Sequence, residues 1–237
     1  QAVLWEYVDR NPFHKAALPK TKSAPSVFLS PEQIQLLLSH CKVPWLRLAI
    51  ELSFVCTLRR GELLALTWDD INWEQNSLQI SKTLCRVSKD AMLMLEERDV
   101  FHIFPTDTHS RTALVLKSPK TESSNRVVYF PSSLKCSLLE WQKAQKKSAS
   151  GELPRLIFAY EDNRPLQSGV LTKQFQRLLE QCDLPKVTFH SLRHSSITYK
   201  LVLTGGDIKA VQGDSGHSQA DMITEIYGHI LDANRRK

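Results

Sequence analysis

The sequence lacks several features that define large classes of protein. No apolar run approaches the roughly 18 residues that can cross a bilayer, and the start of the chain does not show the charged and then apolar order of a secretory signal. It also has no internal repeat of the length found in solenoid proteins. These absences argue against a membrane-spanning protein, a secretory precursor and a repeat protein.

Cysteine is sparse and shows no pairing pattern. The five cysteines are odd in number, widely scattered and never form a C-x-x-C pair: Cys41, Cys56, Cys85, Cys136 and Cys182. Reduced thiols in a cytoplasmic protein are therefore predicted.

Length and charge narrow the possibilities further. The 237 residues, of which 42% are hydrophobic, suffice for one substantial domain, or for one domain and part of another. Lys and Arg number 31 against 25 Asp and Glu, so the formal net charge is +6 and the pI is about 9.1. This balance favours a polyanionic partner, although ribosomal and membrane-surface proteins share it. Because the chain opens on Gln1 rather than Met, we expect a processed or truncated product.

The first 27 residues differ from the rest of the chain. Residues 1–9 carry five large apolar side chains and predict the end of an apolar helix, which stops before Asn11-Pro12. Residues 12–25 are rich in Pro, Lys, Ala and Ser, as in an extended linker. We therefore place a domain boundary near residue 27.

Hydrophobic periodicity predicts mostly helices after this boundary. Ser30 is suited to cap the first helix, with Pro31 at its first position and Gln33 at the capping-box position. A second helix is predicted at 44–57, and a third begins near residue 60 and is broken at Asp69-Asp70. Five more helices are predicted at 132–148, 168–181, 190–204, 206–212 and 219–228.

A small β-sheet is predicted between these two groups of helices. Short strands are indicated at 77–82, 113–116 and 126–130, and the last two are joined by a turn over 118–125. The segment 85–112 has mixed charge and no clear period, so we expect it to be an irregular elaboration of the sheet.

The richest cluster of chemical groups lies in the last fifty or so residues. His190, Arg193, His217 and Tyr227 follow one another at spacings of three, 24 and ten residues. Two imidazoles, a guanidinium and a phenol suit attack on a phosphodiester, in which an anionic phosphorane is stabilised and a phenolate is the nucleophile. A lone tyrosine is more often a core residue. As a nucleophile it must lose a proton from a group with a pKa of about 10, which demands nearby cations and a base.

A zinc site is the main alternative for His190 and His194. Their spacing of four places both on one face of a helix. However, the metalloprotease pattern has Glu directly after the first His, where this sequence has Ser191, and Arg193 would put a cation beside the metal. Since no carboxylate-rich cluster suits magnesium either, we predict catalysis without a metal or cofactor.

Two regions upstream offer further cations. Arg59 and Arg60 follow a nearly continuous apolar run, so one should point outward and the other inward, and Glu62 is placed to hold Arg59. Lys120 lies in the predicted turn between two strands, from which a general acid can reach a leaving oxygen. Solvated side chains are the more common interpretation of both sites.

These motifs resemble those of the tyrosine recombinases, or phage-type integrases, and among them the integrases of conjugative transposons and related phages. Residues 57–71 (TLRRGELLALTWDDI) are similar to the family's first box, which selects Arg59 as the catalytic arginine and Glu62 as its support. Residues 119–131 resemble the hairpin that carries the catalytic lysine, which selects Lys120. The match continues in HSLRH at 190–194, GHS at 216–218 and IYGH at 226–229.

Two positions depart from the family pattern. Thr57 stands where the family usually has Gly, and Ser215 stands where it usually has Leu. Both are backbone-packing positions, so the departures bear on local geometry more than on the chemistry.

The resemblance implies a mainly α fold with a small antiparallel β-sheet (α+β). It implies the end of a core-binding domain and a linker at 1–27, and a catalytic domain at 28–237. The activity implied is site-specific recombination for integration or excision of a mobile element, through a 3′-phosphotyrosine on Tyr227. The other catalytic residues carried over from the family are Arg59, Lys120, His190, Arg193 and His217.

The same resemblance implies the partners. They are double-stranded DNA at specific attachment sites, further copies of the chain in a tetramer on paired sites, and an excisionase or a host DNA-bending protein. A cytoplasmic, nucleoid-associated bacterial protein is expected. The alternatives are a type IB topoisomerase, a catalytically silent DNA-binding relative and a metal-dependent nuclease.

Overall fold

The structure, a computed structural model, describes residues 3–12, 14, 27–92, 96–105, 110–119, 124–148 and 155–215. The predicted helix at 219–228 and most of the predicted linker at 12–25 lie outside these ranges.

The first two helices confirm the predicted start of the folded region. α1 (Pro31–His40) opens with the expected capping box, in which the Ser30 hydroxyl accepts from the Gln33 N–H at 3.3 Å and the Gln33 side chain accepts from the Ser30 N–H at 2.9 Å. α2 (Pro44–Val55) buries six of its twelve residues, as the apolar run predicts.

A short helix connects α2 to the first sheet. α3 (Arg60–Ala65) is followed by a 3-10 turn at Trp68–Asp70. The Asp70 carboxylate closes this turn by accepting from the Thr67 N–H at 2.8 Å and from its hydroxyl at 2.7 Å. The third helix is shorter than the sequence predicts: it ends at Ala65, four residues before Asp69-Asp70, and these two residues belong to the 3-10 turn instead of breaking the helix.

The described residues form two three-stranded antiparallel sheets. The first has the order β1-β2-β6, with β1 at Ile71–Asn72, β2 at Ser77–Ile80 and β6 at Arg126–Tyr129. The second has the order β3-β5-β4, with β3 at Thr83–Ser88, β4 at Val100–Phe104 and β5 at Thr112–Lys117.

The hairpin predicted around Lys120 is wrong in its pairing. β5 pairs along β3, from Thr83 opposite Lys117 to Ser88 opposite Thr112, whereas β6 pairs along β2. Because β2 and β3 follow each other directly in the chain, β5 and β6 lie one after the other opposite them rather than side by side. The segment that contains Lys120 therefore connects two consecutive strands. The physical reason is that the extended chain continues beyond the strand predicted at 77–82. The continuation, β3, pairs with β5 in place of β6.

The segment 85–112 is more regular than the sequence predicts. It contains most of β3, a short helix α4 (Lys89–Met92), a 3-10 turn at Glu97–Asp99 and the edge strand β4. It does elaborate the sheet, as expected. β4 leaves three consecutive residues exposed, so it has none of the alternation of burial by which a strand is recognised.

The helix predicted at residues 1–9 is not formed in the described part of that segment. Residues 3–10 adopt turns and bends. Leu4 is 82% exposed and Tyr7 78%. Without burial of their apolar side chains, so few residues do not sustain a helix.

Four helices complete the described fold, all near their predicted positions. They are α5 (Ser132–Ser148), α6 (Ser168–Gln181), α7 (Ser191–Leu203) and α8 (Ile208–Ser215). α7 packs against α2, and α3 packs against β3, around the larger of two hydrophobic clusters, whereas α7 and α8 share the smaller one. These packings bring the end of α2, the start of α3 and the start of α7 together. No helix among the described residues is long and apolar enough to cross a membrane.

Candidate active site

The two adjacent arginines face different surroundings at the start of α3. Arg60 is exposed, and its guanidinium donates to the Thr172 hydroxyl at 3.4 Å. Arg59 is the residue before the helix, with a side chain 35% exposed, and its Nη1 donates to Glu62 Oε1 at 2.7 Å. The predicted contact between Arg59 and Glu62 is present and Arg60 points outward, whereas Arg59 is only partly turned inward.

Glu62 is the anion that organises this end of the site. Its side chain is 3% exposed and accepts from the Arg59 N–H at 2.9 Å as well as from the Arg59 guanidinium. Arg126 in β6 binds the same carboxylate through two nitrogens, at 2.9 and 3.3 Å. Burial alone would raise the pKa of Glu62, but the Arg126 and Arg59 contacts outweigh it and lower the pKa below its usual 4.5. Glu62 is therefore an anion that orients two guanidinium groups.

Among the site cations that the structure describes, Arg193 is the most deeply buried. It lies in the first turn of α7, is 1% exposed and donates through Nη1 to the carbonyl of Thr57. Burial, followed by the charge of Arg59, lowers the pKa of Arg193 to about 9. The guanidinium therefore stays protonated at neutral pH, and its positive charge acts in surroundings of low polarity.

Thr57 adopts the left-handed backbone conformation at the end of α2. It follows the C-cap residue Cys56, at the position where glycine commonly ends a helix, and its φ is 54°. A branched side chain in this region is strained, typically by about 1–3 kcal/mol. The hydroxyl of Thr57 lies 2.9 Å from that of Ser196 in α7, and both residues are buried. The departure from the family's usual Gly thus has a definite geometric consequence.

His190 lies at the start of α7, beside His194. It caps α7, and its ring lies across that of His194, with centroids 4.8 Å apart and planes at 85°. Although the residue as a whole is exposed, partial burial of the ring, followed by the charges of His194, Arg193 and Arg59, lowers the pKa of His190 to about 4. The imidazole is therefore neutral at physiological pH.

The structure brings together four of the seven residues that the sequence selects. Arg59 and Glu62 lie at the start of α3, His190 and Arg193 lie at the start of α7, and the charges of Arg59 and Arg193 both act on the His190 ring. The other three predicted residues, Lys120, His217 and Tyr227, lie outside the described residues.

Two contributors are not singled out by the sequence reasoning. Arg126 belongs to the lysine-bearing motif, but nothing in the sequence shows that it shares Glu62 with Arg59. Thr57 is visible only as a departure from the family's glycine. A positive charge at a buried strand position is the signal that could have identified Arg126, since such a charge needs an anionic partner.

A metal site finds no support among the described residues, where no three or more His, Cys, Asp or Glu side chains form a group that could hold an ion. His190 and His194 face each other as predicted for one helix face, but burial, and after it the positive charge of Arg193, lowers the pKa of both rings.

Curated relatives of this chain are recombinases and integrases. It is 28% identical over 210 residues to a "Tyrosine recombinase XerC-like" protein of Caldanaerobacter subterraneus subsp. tengcongensis. The alignment covers 85% of this chain and 50% of that protein. It is 26% identical to the "ICEBs1 integrase" of Bacillus subtilis, over 100% of this chain and 59% of that protein. The chain thus spans between half and three fifths of the length of these two relatives.

Solved structures share the fold. The Tn1549 transposon integrase in complex with transposon right end DNA aligns with a TM-score of 0.72 and 24% identity, over 94% of this chain and 69% of that one. The same integrase with a circular intermediate DNA also gives 0.72, at 22% identity, over 100% of this chain and 74% of that one. The mainly α fold with small antiparallel sheets is therefore that of the tyrosine recombinase catalytic domain. Because residues 27–234 match the description "Phage integrase family", this chain belongs to the phage integrase family.

Proposed function

We propose that this protein is a site-specific DNA recombinase, which cuts and rejoins DNA strands through a 3′-phosphotyrosine during integration or excision of a mobile element. The observation that carries the proposal is the meeting of Arg59, Arg193 and a neutral His190 at the junction of α2, α3 and α7. Two guanidinium groups and a proton acceptor are what an attack on a phosphodiester needs.

The two arginines would bind the phosphate. A guanidinium is planar and can donate two hydrogen bonds to one phosphate, and Arg59 and Arg193 come from different elements, so they can approach it from different sides. Arg193 is nearly free of solvent, which strengthens its interaction with the charge that develops on the non-bridging oxygens. Removal of one such contact typically costs about 10² to 10³ in rate.

The proton transfers follow from the same assignment. The Tyr227 oxygen attacks phosphorus and its proton passes to His190, whose lowered pKa leaves the imidazole unprotonated at neutral pH before the attack. The bond from phosphorus to the 5′ oxygen breaks, and Lys120 protonates that oxygen. His217 donates a hydrogen bond to a phosphate oxygen. Rejoining is the reverse, with a 5′-hydroxyl of the partner strand as the nucleophile.

The organisation and partners of the whole protein are part of the proposal. We assign 28–237 to the catalytic domain and 1–27 to the exit from a core-binding domain with its linker. The DNA partner is a duplex with specific attachment sites, bound by several copies of the protein as a tetramer on paired sites. An excisionase or a host DNA-bending protein would assist in the bacterial nucleoid. The net charge of +6 supports a polyanionic partner.

The test is covalent capture on DNA. The protein first selects duplexes from a random-sequence pool, and the selected sequence is rebuilt with a nick next to the cleaved phosphate, so that the leaving strand diffuses away. A denaturing gel should show a protein-DNA band for the wild type and none for Tyr227→Phe, whereas filter binding stays within about twofold because no charge is lost.

Tyr160→Phe is the matched control. It makes the same chemical change on a surface loop, where the Tyr160 ring faces Arg164 at 6.0 Å, and it should form the adduct at the wild-type rate. An adduct with Tyr227→Phe, or no selection of any duplex by the wild type, contradicts the proposal. Relaxation of supercoiled DNA by single copies, without strand exchange between paired sites, would instead assign a type IB topoisomerase.

A further inference from the structure

Thr57 links the segment that carries Arg59 to the helix that carries Arg193. It lies two residues before Arg59, and its left-handed backbone turns the chain from the end of α2 towards α3. From this one residue two contacts reach α7: the carbonyl accepts from Arg193 Nη1, and the hydroxyl lies 2.9 Å from Ser196 Oγ.

The two contacts have different chemical requirements. Any residue with a positive φ presents its carbonyl to Arg193, and glycine does so without strain. Only serine or threonine at position 57 adds a hydroxyl that can contact Ser196. Ser196 lies three residues after Arg193, and therefore on the same side of α7, one turn away. Thr57 and Ser196 are 0% and 1% exposed, so water does not replace the contact.

We propose that Thr57 is a positioning residue, whose hydroxyl fastens α7 to the end of α2 and so fixes Arg193 relative to Arg59 for binding of one phosphate. The strain of a branched residue at a φ of 54° is retained because the hydroxyl gives the site a second anchor. This inference rests on the proposed recombinase activity, and it concerns a residue that does not touch the phosphate itself.

The first experiment compares Thr57→Gly with Thr57→Ser on the nicked duplexes. Glycine keeps the backbone and removes the hydroxyl, so the single-turnover rate of adduct formation should fall about fivefold or more, which corresponds to one lost hydrogen bond. Serine keeps the hydroxyl and should restore the rate to within about twofold of wild type. DNA affinity should be unchanged in both variants because no charge is altered. A Thr57→Gly rate equal to that of wild type overturns the inference.

Asp183→Gly is the matched backbone control. Asp183 also follows a C-cap residue, at the end of α6, with a φ of 51°, and its replacement relieves the same kind of strain elsewhere. Its cleavage rate should equal that of wild type. A fall as large as that of Thr57→Gly would assign the effect to backbone freedom in general and overturn the role of the hydroxyl.

Ser196→Ala tests the same contact from the other side and does not depend on how well Thr57→Gly folds. It should slow adduct formation as much as Thr57→Gly does, and the double variant should be no slower than either single variant, because both changes remove one hydrogen bond. Independent, multiplicative losses in the double variant would contradict the proposal.

A neutral substrate separates positioning from general structural damage. A methylphosphonate at the cleaved position replaces one charged oxygen with a methyl group and so weakens the need for a guanidinium. The rate penalties of Arg193→Ala and Thr57→Gly should both shrink on this substrate. If the rate penalty of Thr57→Gly is the same on both substrates, the inference is overturned while the proposed function stands. If the wild type forms no adduct on the unmodified phosphodiester, the proposed function itself is overturned.

Discussion

At the scale of single residues, burial has opposite chemical consequences for the two groups at the start of α7. Arg193 begins from a pKa so high that burial leaves it a cation, with a pKa of about 9. His190 begins at 6.5, so burial and the neighbouring cations bring its pKa to about 4 and make it neutral. The same buried, positively charged surroundings thus leave Arg193 a cation and His190 neutral.

The titration of His190 can be measured directly in the free protein. Its imidazole should remain neutral from pH 8 down to about pH 5 and take up a proton with a midpoint near 4 in a nitrogen-detected NMR titration. The stability that this group contributes should be present above the unfolded pKa of 6.5 and be lost as the pH falls from 6.5 towards 4, since the unfolded chain binds the proton more readily.

His190→Gln identifies the resonance in that titration and should remove this part of the pH dependence of unfolding. A midpoint at or above 6.5 in the wild type would contradict the assignment of a neutral His190.

At the scale of elements, the short helix α3 owes its position to close contact with β3. Six residues are too few to be helical on their own, so α3 depends on tertiary packing. Gly61 is in its first turn, where an added methyl group would lie 2.5 Å from Thr83 Oγ1 and 3.2 Å from the Leu84 carbonyl. The absence of a side chain at Gly61 lets β3 approach and sets where α3 places Arg59 and Glu62.

Gly61→Ala should therefore destabilise the protein by about 1–3 kcal/mol, because the Thr83 hydroxyl must be displaced and the Leu84 carbonyl is also close. Urea denaturation measures the change. Gly169→Ala in α6 is the control: no heavy atom outside its own helix lies within 4 Å, so the substitution should be neutral or stabilise by up to about 1 kcal/mol.

Removal of the Thr83 hydroxyl should restore part of the stability that Gly61→Ala loses. In Gly61→Ala/Thr83→Ala the nearest obstacle is gone and only the Leu84 carbonyl remains close. If Gly61→Ala proved as stable as wild type, the packing of α3 on β3 would be looser than described.

At the scale of the whole molecule, Glu62 connects the helical and sheet parts of the site. It receives Arg59 from the start of α3 and Arg126 from β6, which pairs with β2 in the first sheet. A buried carboxylate between two guanidinium groups is stable only while both are present, since each charge alone would be costly to desolvate. The site is therefore part of the packing between helices and sheet.

Glu62→Gln should lower the free energy of unfolding by about 3–5 kcal/mol, because it removes the negative charge that the buried Arg126 guanidinium binds. Urea denaturation at pH 7 measures this. Glu51→Gln is the control, since Glu51 pairs with the largely exposed Arg47 and should cost less than about 1 kcal/mol. Equal effects of the two substitutions would contradict the central role of Glu62.

Part of the fold could be predicted from local patterns. The capping box at Ser30 and the apolar run of α2 depend on neighbouring residues, and the structure has both. The pairing of β5 and the edge strand β4 could not be predicted, because the partner of a strand is chosen by residues distant in sequence. Arg126 is the same case within the site, since its partner is 64 residues away.

The sequence by itself determined the family, the order of the motifs and the kinds of chemical group that the protein carries, because these depend on residue identity and spacing alone. Only the tertiary structure decided that Glu62 binds two arginines and that His190 is neutral. It also decided that Thr57 adopts a left-handed backbone conformation and accepts a hydrogen bond from Arg193. The reason is physical: burial and the distances between charges arise only when α2, α3, β6 and α7 pack together.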